Sequence, residues 1–397
     1  MPLRKSRKRS EMPVTEAEVI EALRPVDDPE LRQSIVDLGM VKDVRIDGGA
    51  VAVLIALTVP GCPLRAEITD RVTNALQPLD GVDSVTVDMT VMTDEERAAV
   101  AAKMHAAGGG GHAGHDHAAG GGHGHGHGPA KEIPFADPAS KTRVLGISSG
   151  KGGVGKSSVT VNTAIALARL GNDVAVLDAD VYGFSVPKML GITQEPVVID
   201  DMIVPPVAFG VKCISMGFFA EEDQPVIWRG PMLHKALEQF LTDIYWGEPD
   251  YLLIDMPPGT GDVALSMAQY IPRSEIYVVT TPQAAAQRVA QRTAYMAKKV
   301  NMVVRGVIEN MSWFTGDDGK RYEIFGTGGG RSLAEKLEVP LLGQIPLVPD
   351  LREGGDVGLP VTVSDPDGEA SRAFEALAKE IVSRGPSRIY RSELSLS

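Results

Sequence analysis

The densest chemistry in the chain is the run Gly150-Lys151-Gly152-Gly153-Val154-Gly155-Lys156-Ser157. It satisfies the spacing G-x-x-x-x-G-K-[ST], with an apolar strand-like run before it and a helical pattern after it. Glycines in such a turn let successive backbone N–H groups converge on phosphate oxygens, and the following helix adds the positive end of its dipole. Lys156 then suits the β- and γ-phosphates of a nucleotide, and the Ser157 hydroxyl suits Mg²⁺. Two further apolar runs end on carboxylates, Leu177-Asp178-Ala179-Asp180 and Ile254-Asp255. A lone aspartate at a strand end is more often a helix cap. Two such ends downstream of a phosphate loop read instead as a magnesium site.

This chemistry requires elements that deliver it to one edge. Strand-like runs occur at Val144–Ser148, Val174–Asp178, Val211–Met216, Tyr251–Asp255, Ile276–Thr281, Val303–Asn310 and Leu341–Ile345. Helical patterns fall between most of them, notably Ser157–Leu170, Met232–Tyr245 and Ala284–Lys299. Alternation of this kind predicts an α/β domain, a doubly wound, mostly parallel sheet with helices on both faces. Ligands in such folds sit at the carboxyl ends of the strands, where all of these motifs fall. Ahead of it the pattern is that of a small α+β domain. It has a helix over Val14–Leu23 capped by Thr15 and Glu18, and strands over Val41–Ile46 and Ala50–Thr58 joined at Asp47-Gly48-Gly49. A helix over Pro63–Leu76 and a strand over Val82–Met89 complete it. Between the two domains, residues 107–128 are nearly all Gly, Ala and His, a composition too poor in apolar surface to offset the entropy of ordering it. The expected organisation is a disordered basic tail at 1–12 and the small domain at 13–95. A flexible linker at 96–141, a phosphate-loop ATPase domain at 142–384 and a polar tail at 385–397 follow.

Composition closes several alternatives. A net charge of −13 repels a phosphate backbone over most of the surface, so no nucleic-acid partner is expected. The basic start, Arg4, Lys5, Arg7, Lys8 and Arg9, reads as a solvated end. No apolar run reaches the length of a membrane span, and the start lacks the apolar core of a secretory signal, so no membrane partner is expected. With Cys62 and Cys213 as the only cysteines, no disulfide framework is expected, and a reducing cytoplasm is the simplest location.

Lys151, directly after the first glycine, gives the loop the pattern GKGGVGKS. This resembles the deviant Walker A of the ATPase superfamily that includes MinD, ParA and the nitrogenase iron protein. The longer matches are similar to the Mrp/ApbC branch of iron–sulfur cluster carrier ATPases. They are DADVYGFS at Asp178–Ser185, Trp228-Arg229-Gly230-Pro231-Met232, DMPPGTGD at Asp255–Asp262, Glu309-Asn310-Met311-Ser312 and Ile324-Phe325-Gly326. Residues ahead of the linker resemble the small iron–sulfur assembly domain often fused to that branch, through Asp28-Pro29-Glu30, Leu38-Gly39-Met40-Val41 and Thr58-Val59-Pro60-Gly61-Cys62-Pro63. The resemblance implies a homodimer that binds and hydrolyses ATP with Mg²⁺ and carries a cluster to apoprotein clients or assembly proteins. It assigns Lys151 to the partner's nucleotide across the dimer and Lys156 to the phosphates. Asp180 would orient the attacking water. The loop contacts are Gly150, Gly152, Gly153, Val154, Gly155, Lys156, Ser157 and Ser158, with Asn310 on adenine beside Ile345-Pro346. Ser157 would ligate Mg²⁺, and Asp178 and Asp255 would hold it through water.

One departure bears on the cargo. Cluster-binding members carry Cys-x-x-Cys shortly after Asn-Met-Ser, whereas this chain reads Trp313-Phe314-Thr315-Gly316-Asp317-Asp318-Gly319-Lys320. Thiolates are the normal ligands of such clusters, and Asp317 and Asp318 read as a solvated turn. Cys62 is the remaining candidate for an iron–sulfur ligand. It has two readings, a thiolate activated before a helix or a small buried residue at a tight corner. Cys213 is expected in the core and His234 on a partly exposed helix face. The histidines His105, His112, His115, His117, His123, His125 and His127 are either incidental linker or weak metal capture. An alternative function follows from the missing pair: a MinD/ParA-like regulatory switch without cluster binding.

Overall fold

The structure, a computed structural model, describes residues 14–58, 65–107, 132–181, 183–199, 202–219, 230–259 and 261–387. They fall into two compact units, one within 1–122 together with 197–204, the other within 123–196 and 205–397.

In the first unit, α1 (Glu16–Leu23) begins with the reciprocal cap expected from the sequence. The Thr15 hydroxyl accepts the Glu18 N–H, and the Glu18 carboxylate accepts the Thr15 N–H. β1 (Val41–Asp47) and β2 (Ala50–Leu57) pair antiparallel, with Gly48 at φ +57 making the turn. α2 (Arg65–Leu76) crosses over so that β3 (Ser84–Val91) lies parallel to β2. Val53, Ile55, Ile68, Val72 and Leu76 are fully buried in its core.

The linker expected from residue 96 opens instead with a helix, α3 (Asp94–Ala107). Its alanine-rich run favours helix, and Val100 and Met104, one turn apart, are buried. Lys42 pairs with Glu96 at 2.8 Å, and Lys103 Nζ donates to the Asp37 carbonyl at 2.6 Å. The linker's far end is also shorter than expected. Phe135 is buried in the 3₁₀ turn Pro134–Ala136, and Arg273 donates to the carbonyls of Asp137 and Pro138. Residues 108–131 lie outside the described residues.

The second unit follows as β4 (Arg143–Ser149), α4 (Lys156–Arg169), β5 (Val174–Asp178) and α5 (Val186–Met189). The antiparallel pair β6 (Val197–Ile199) and β7 (Met202–Val204) counts with the first unit. Next come β8 (Val207–Ala208), β9 (Val211–Ser215), α6 (Gly230–Thr242), β10 (Tyr251–Asp255), α7 (Asp262–Tyr270) and β11 (Glu275–Thr280). The last stretch is α8 (Ala284–Lys299), β12 (Val303–Glu309), β13 (Phe314–Thr315), β14 (Arg321–Tyr322), α9 (Gly329–Leu337) and β15 (Leu341–Gln344). It ends with α10 (Pro349–Val357), α11 (Val361–Ser364) and α12 (Glu369–Ser383).

All seven expected strands enter one eight-stranded sheet, ordered β15-β12-β11-β4-β10-β5-β9-β8. Every pairing is parallel except the β8–β9 edge. The chain first fills the β10, β5 and β9 side of β4, then the β11, β12 and β15 side. Such a reversal opens a crevice at the carboxyl end of the central strand. Val159, Ile165 and Leu167 of α4 share one core with Leu145 and Ile147 of β4 and with Phe374, Leu377 and Ile381 of α12. Each such side chain contributes about 1.5–3 kcal/mol by leaving water, which fixes α4 behind the phosphate loop.

Candidate nucleotide site

β4 ends at Ser149 and α4 starts at Lys156, so the glycine-rich loop is held between a central strand and a buried helix. Gly153 and Gly155 adopt φ of +78 and +75, which a side chain would oppose. A Cβ at Gly155 would lie 2.3 Å from Asn310 Nδ2. Gly150 is needed for another reason: a Cβ there would lie 2.2 Å from the Ala290 backbone nitrogen, so its absence lets α8 approach. Nothing lies within 4 Å of the Cβ positions of Gly152 or Gly153, leaving that wall of the loop open to a ligand.

The charged groups gather beneath the loop. Asp255, fully buried at the end of β10, accepts from Lys156 Nζ at 2.5 Å and from Ser157 Oγ at 2.6 Å on one oxygen. Its other oxygen accepts from Thr160 Oγ1 at 2.6 Å. Lys156 Nζ also lies 3.3 Å from Ser157 Oγ and 3.6 Å from Asp180 Oδ2. Thr160 was not singled out in the sequence. Its signal is its place one helical turn beyond Lys156, on the same face.

Asp178 stands opposite Asp255 in the β5–β10 register. It accepts the N–H groups of Asp180, Ser185 and Val186 and the Ser215 hydroxyl, so it ties down the segment that carries Asp180. Burial, and then the Asp255 charge, push its carboxyl up to about 7. It is thus a cap at the start of α5 as well as a carboxylate beside the loop. Among the described residues, no group of three or more His, Cys, Asp or Glu forms a metal cage. A hydroxyl and a carboxylate, with water completing the shell, are still the donor set that suits Mg²⁺.

Lys151 is half-buried, with Nζ 3.4 Å from Oε1 of Gln283, the residue preceding α8. Ser158 sits on the first turn of α4, and its carbonyl accepts from Asn162 Nδ2 at 2.9 Å. Asn310, at the end of β12, donates from Nδ2 to the Val154 carbonyl at 2.9 Å. Its Oδ1 is buried without a hydrogen-bond partner among the described residues. Ile345 lies beside it, its N–H donating to the Glu309 carbonyl and its carbonyl accepting from Ser312. Glu309, which sequence reasoning passed over, holds this corner by accepting from Ser312 Oγ, Gln344 Nε2 and the Gly330 N–H.

The segment in the Cys-x-x-Cys position forms the β13–β14 hairpin. Glu369 at the start of α12 accepts from Trp313 Nε1 at 2.9 Å, Thr315 Oγ1 at 2.8 Å and Arg321 Nη2 at 3.1 Å. Arg321 also stacks 4.2 Å over the Trp313 ring. Asp318 accepts from Tyr322 Oη and the Lys320 N–H beside Gly319 at φ +73, an exposed turn as expected. Replacing Glu369 with Ala should cost about 1–2 kcal/mol in urea unfolding and speed amide exchange in the hairpin. Unchanged exchange at Thr315 and Tyr322 would refute the clamp.

Cys213 is fully buried in β9, and burial raises its thiol well above its ordinary range, which suits core rather than ligand. Cys62 and six of the linker histidines lie outside the described residues, and His105 falls within α3. His234, half-buried on α6, stacks on Tyr270 at 4.3 Å and meets Ser266 Oγ at 3.0 Å. Among the described residues no helix is long and apolar enough to cross a membrane.

Residues 140–382 match the profile of the NUBPL iron-transfer P-loop NTPases, more than half of the chain. The chain belongs to that family. Residues 16–89 match a second profile, that of iron–sulfur cluster assembly proteins. An iron–sulfur cluster carrier protein of Mycobacterium tuberculosis is 47% identical over 370 residues, covering 91% of this chain and 92% of its own. A protein of the same description from Bacillus subtilis is 40% identical over 337 residues, covering 84% and 88%. Among solved structures, a nucleotide-binding protein from Archaeoglobus fulgidus in complex with ADP is 33% identical. It aligns at a TM-score of 0.51 over 59% of this chain and 93% of its own. The family's fold is the one observed, a mostly parallel α/β sheet with a phosphate loop after its central strand.

Proposed function

We propose that this protein is an ATP-driven iron–sulfur cluster carrier that works in the cytoplasm as a nucleotide-switched homodimer. The observation that carries the nucleotide half is the convergence of Lys156, Ser157 and Thr160 on buried Asp255. The buried, unpartnered Asn310 Oδ1 adds an acceptor suited to the amino group of adenine. ATP would lie with its phosphates against the N–H groups of Gly150, Gly152, Gly153, Val154 and Gly155, and against the first turn of α4 at Ser158. Lys156 would turn from Asp255 to the β- and γ-phosphates. Mg²⁺ would be held by Ser157 and, through water, by Asp255 and Asp178, and would draw charge from the phosphates. Asp180 would orient the attacking water, and Lys151 would leave Gln283 to stabilise charge on the partner's nucleotide.

The cargo half is supported by relatives described as iron–sulfur cluster carriers, which match across both units. The cluster is the substrate, received and passed to apoprotein clients or assembly partners. With no cysteine in the β13–β14 hairpin, the thiolate this chain offers is Cys62. A regulatory switch without cargo is the second reading, favoured only by the clamped hairpin.

Anaerobic reconstitution with iron and sulfide, followed by desalting and metal analysis, separates the two. The carrier predicts a stoichiometric cluster that is lost in Cys62→Ala while nucleotide binding stays. ATP-dependent dimers that hold no iron in either protein would overturn it in favour of the switch.

A further inference from the structure

The pole of the second unit opposite the phosphate loop holds an unusual density of charge. Arg143 and Glu275 are the first residues of β4 and β11, and both side chains are more than nine-tenths buried. Glu275 accepts from Arg143 Nη2 at 2.8 Å, Tyr277 Oη at 2.9 Å and the Ser387 N–H at 2.6 Å, and Arg305 Nε lies 3.6 Å away. Among the described residues Arg143 and Arg305 thus share one carboxylate, a cluster one negative charge short. Burying unmatched charge is costly, so such a cluster invites an anion.

The donors are unmatched as well. Arg143 Nε and Ser274 Oγ are buried with no hydrogen-bond partner among the described residues. Both residues line a cavity of about 270 Å³ whose wall also carries Lys141, Arg273, Ser140 and Ser387. Three cationic and four hydroxyl-bearing residues, Thr142 among them, line this space, against the single carboxylate of Glu275, whose oxygens are already engaged. Guanidinium, ammonium and hydroxyl donors together match the oxygens of a tetrahedral oxyanion.

We propose that this cavity is a second ligand site, for inorganic phosphate or a small phosphate monoester. Ser274 and Arg143 donate from its base and Arg273 and Lys141 from its rim. The site is at the amino ends of the strands, so it is separate from the nucleotide's phosphates and does not depend on the reading of the ATP site.

The test is isothermal titration of full-length protein with inorganic phosphate at fixed ionic strength. Saturating ADP and Mg²⁺ are present, and Lys156→Ala serves as a parallel sample in which the phosphate loop is disabled. Binding of one phosphate is expected in both samples, weakened about tenfold or more by Arg273→Gln and by Lys141→Gln. Ser274→Ala discriminates further. If the hydroxyl is only an unsatisfied core group, its removal leaves the melting temperature equal or higher with and without phosphate. The proposed site predicts instead that phosphate raises the melting temperature of the wild type more than that of Ser274→Ala. No phosphate binding beside ADP, or binding lost only in Lys156→Ala, would overturn the proposal. Loss of ADP binding in Lys156→Ala with the phosphate isotherm intact concerns the nucleotide site alone and supports the second site.

Discussion

Replacing Lys151 with Ala is expected to lower ATP turnover on the order of a thousandfold, the scale of a charge supplied in trans to phosphoryl transfer. Nucleotide affinity should change only a few-fold, because in the proposed complex the cis contacts would be made by Lys156, Ser157 and the loop backbone. Among the described residues Lys151 meets Gln283 and no carboxylate, so its movement breaks no ion pair there. Phosphate release and fluorescent-ADP titration, run beside Lys156→Ala, read the two effects separately. Lys156→Ala should lose both, since it also leaves Asp255 buried without its cation. Turnover unchanged in Lys151→Ala would make that side chain an ordinary loop lysine and remove the argument for a trans contact.

The second large effect lies in the first unit. Glu30 is buried, and burial together with the Asp28 charge pushes its carboxyl up to about 7. Burial likewise raises Asp28, whose oxygen caps the N–H groups of Glu30 and Leu31. Between about pH 4.5 and 7 the folded unit therefore holds a proton that the unfolded chain has released. The stability tied to that proton is fully present below about 4.5 and is lost as pH rises through 7, a swing of about 3 kcal/mol. Hydrogen exchange at the Val53 and Ile55 amides, corrected for intrinsic rate, should show protection falling from pH 5 to 8. Glu30→Gln should flatten the profile and be the more stable protein at pH 8. A flat profile in the wild type would show that Glu30 ionises without cost.

Which parts of this structure the sequence announces follows from the distances over which it carries information. Seven of the eight strands of the large sheet are visible because most are buried on both faces and read as mainly apolar runs, whereas the two-residue edge strand β8 leaves no such run. The phosphate loop is visible because its residues are contiguous. Thr160 and Glu309 are not, because what matters about them is a partner far along the chain, Asp255 for one and Gly330 and Gln344 for the other. The Glu369 clamp joins residues nearly fifty positions or more apart, and no local pattern marks it. α3 is obscured because alanine-rich helix shades into the Gly/Ala/His run beyond it, and only burial of Val100 and Met104 separates the two. Asp178 shows the limit from the other side. Both readings of a strand-end aspartate were available, and the structure makes it a cap on α5 beside the loop.

The charged pole has a mechanical meaning. The first strand of the large sheet starts at Arg143, and Ile381, Arg384, Gly385 and Ser387, near the end of the described residues, are held by Arg143, Arg305 and Glu275. The start of β4 and the stretch after α12 therefore lie at the same end of the sheet. A pull on both would unzip these contacts one after another instead of shearing the strands together. The load would not pass through the glycine loop, so a nucleotide could stay in place while the ends are tugged. In a tweezers experiment the unit should yield first at low force by peeling of α12, with ADP raising the force of a later event and not of that one.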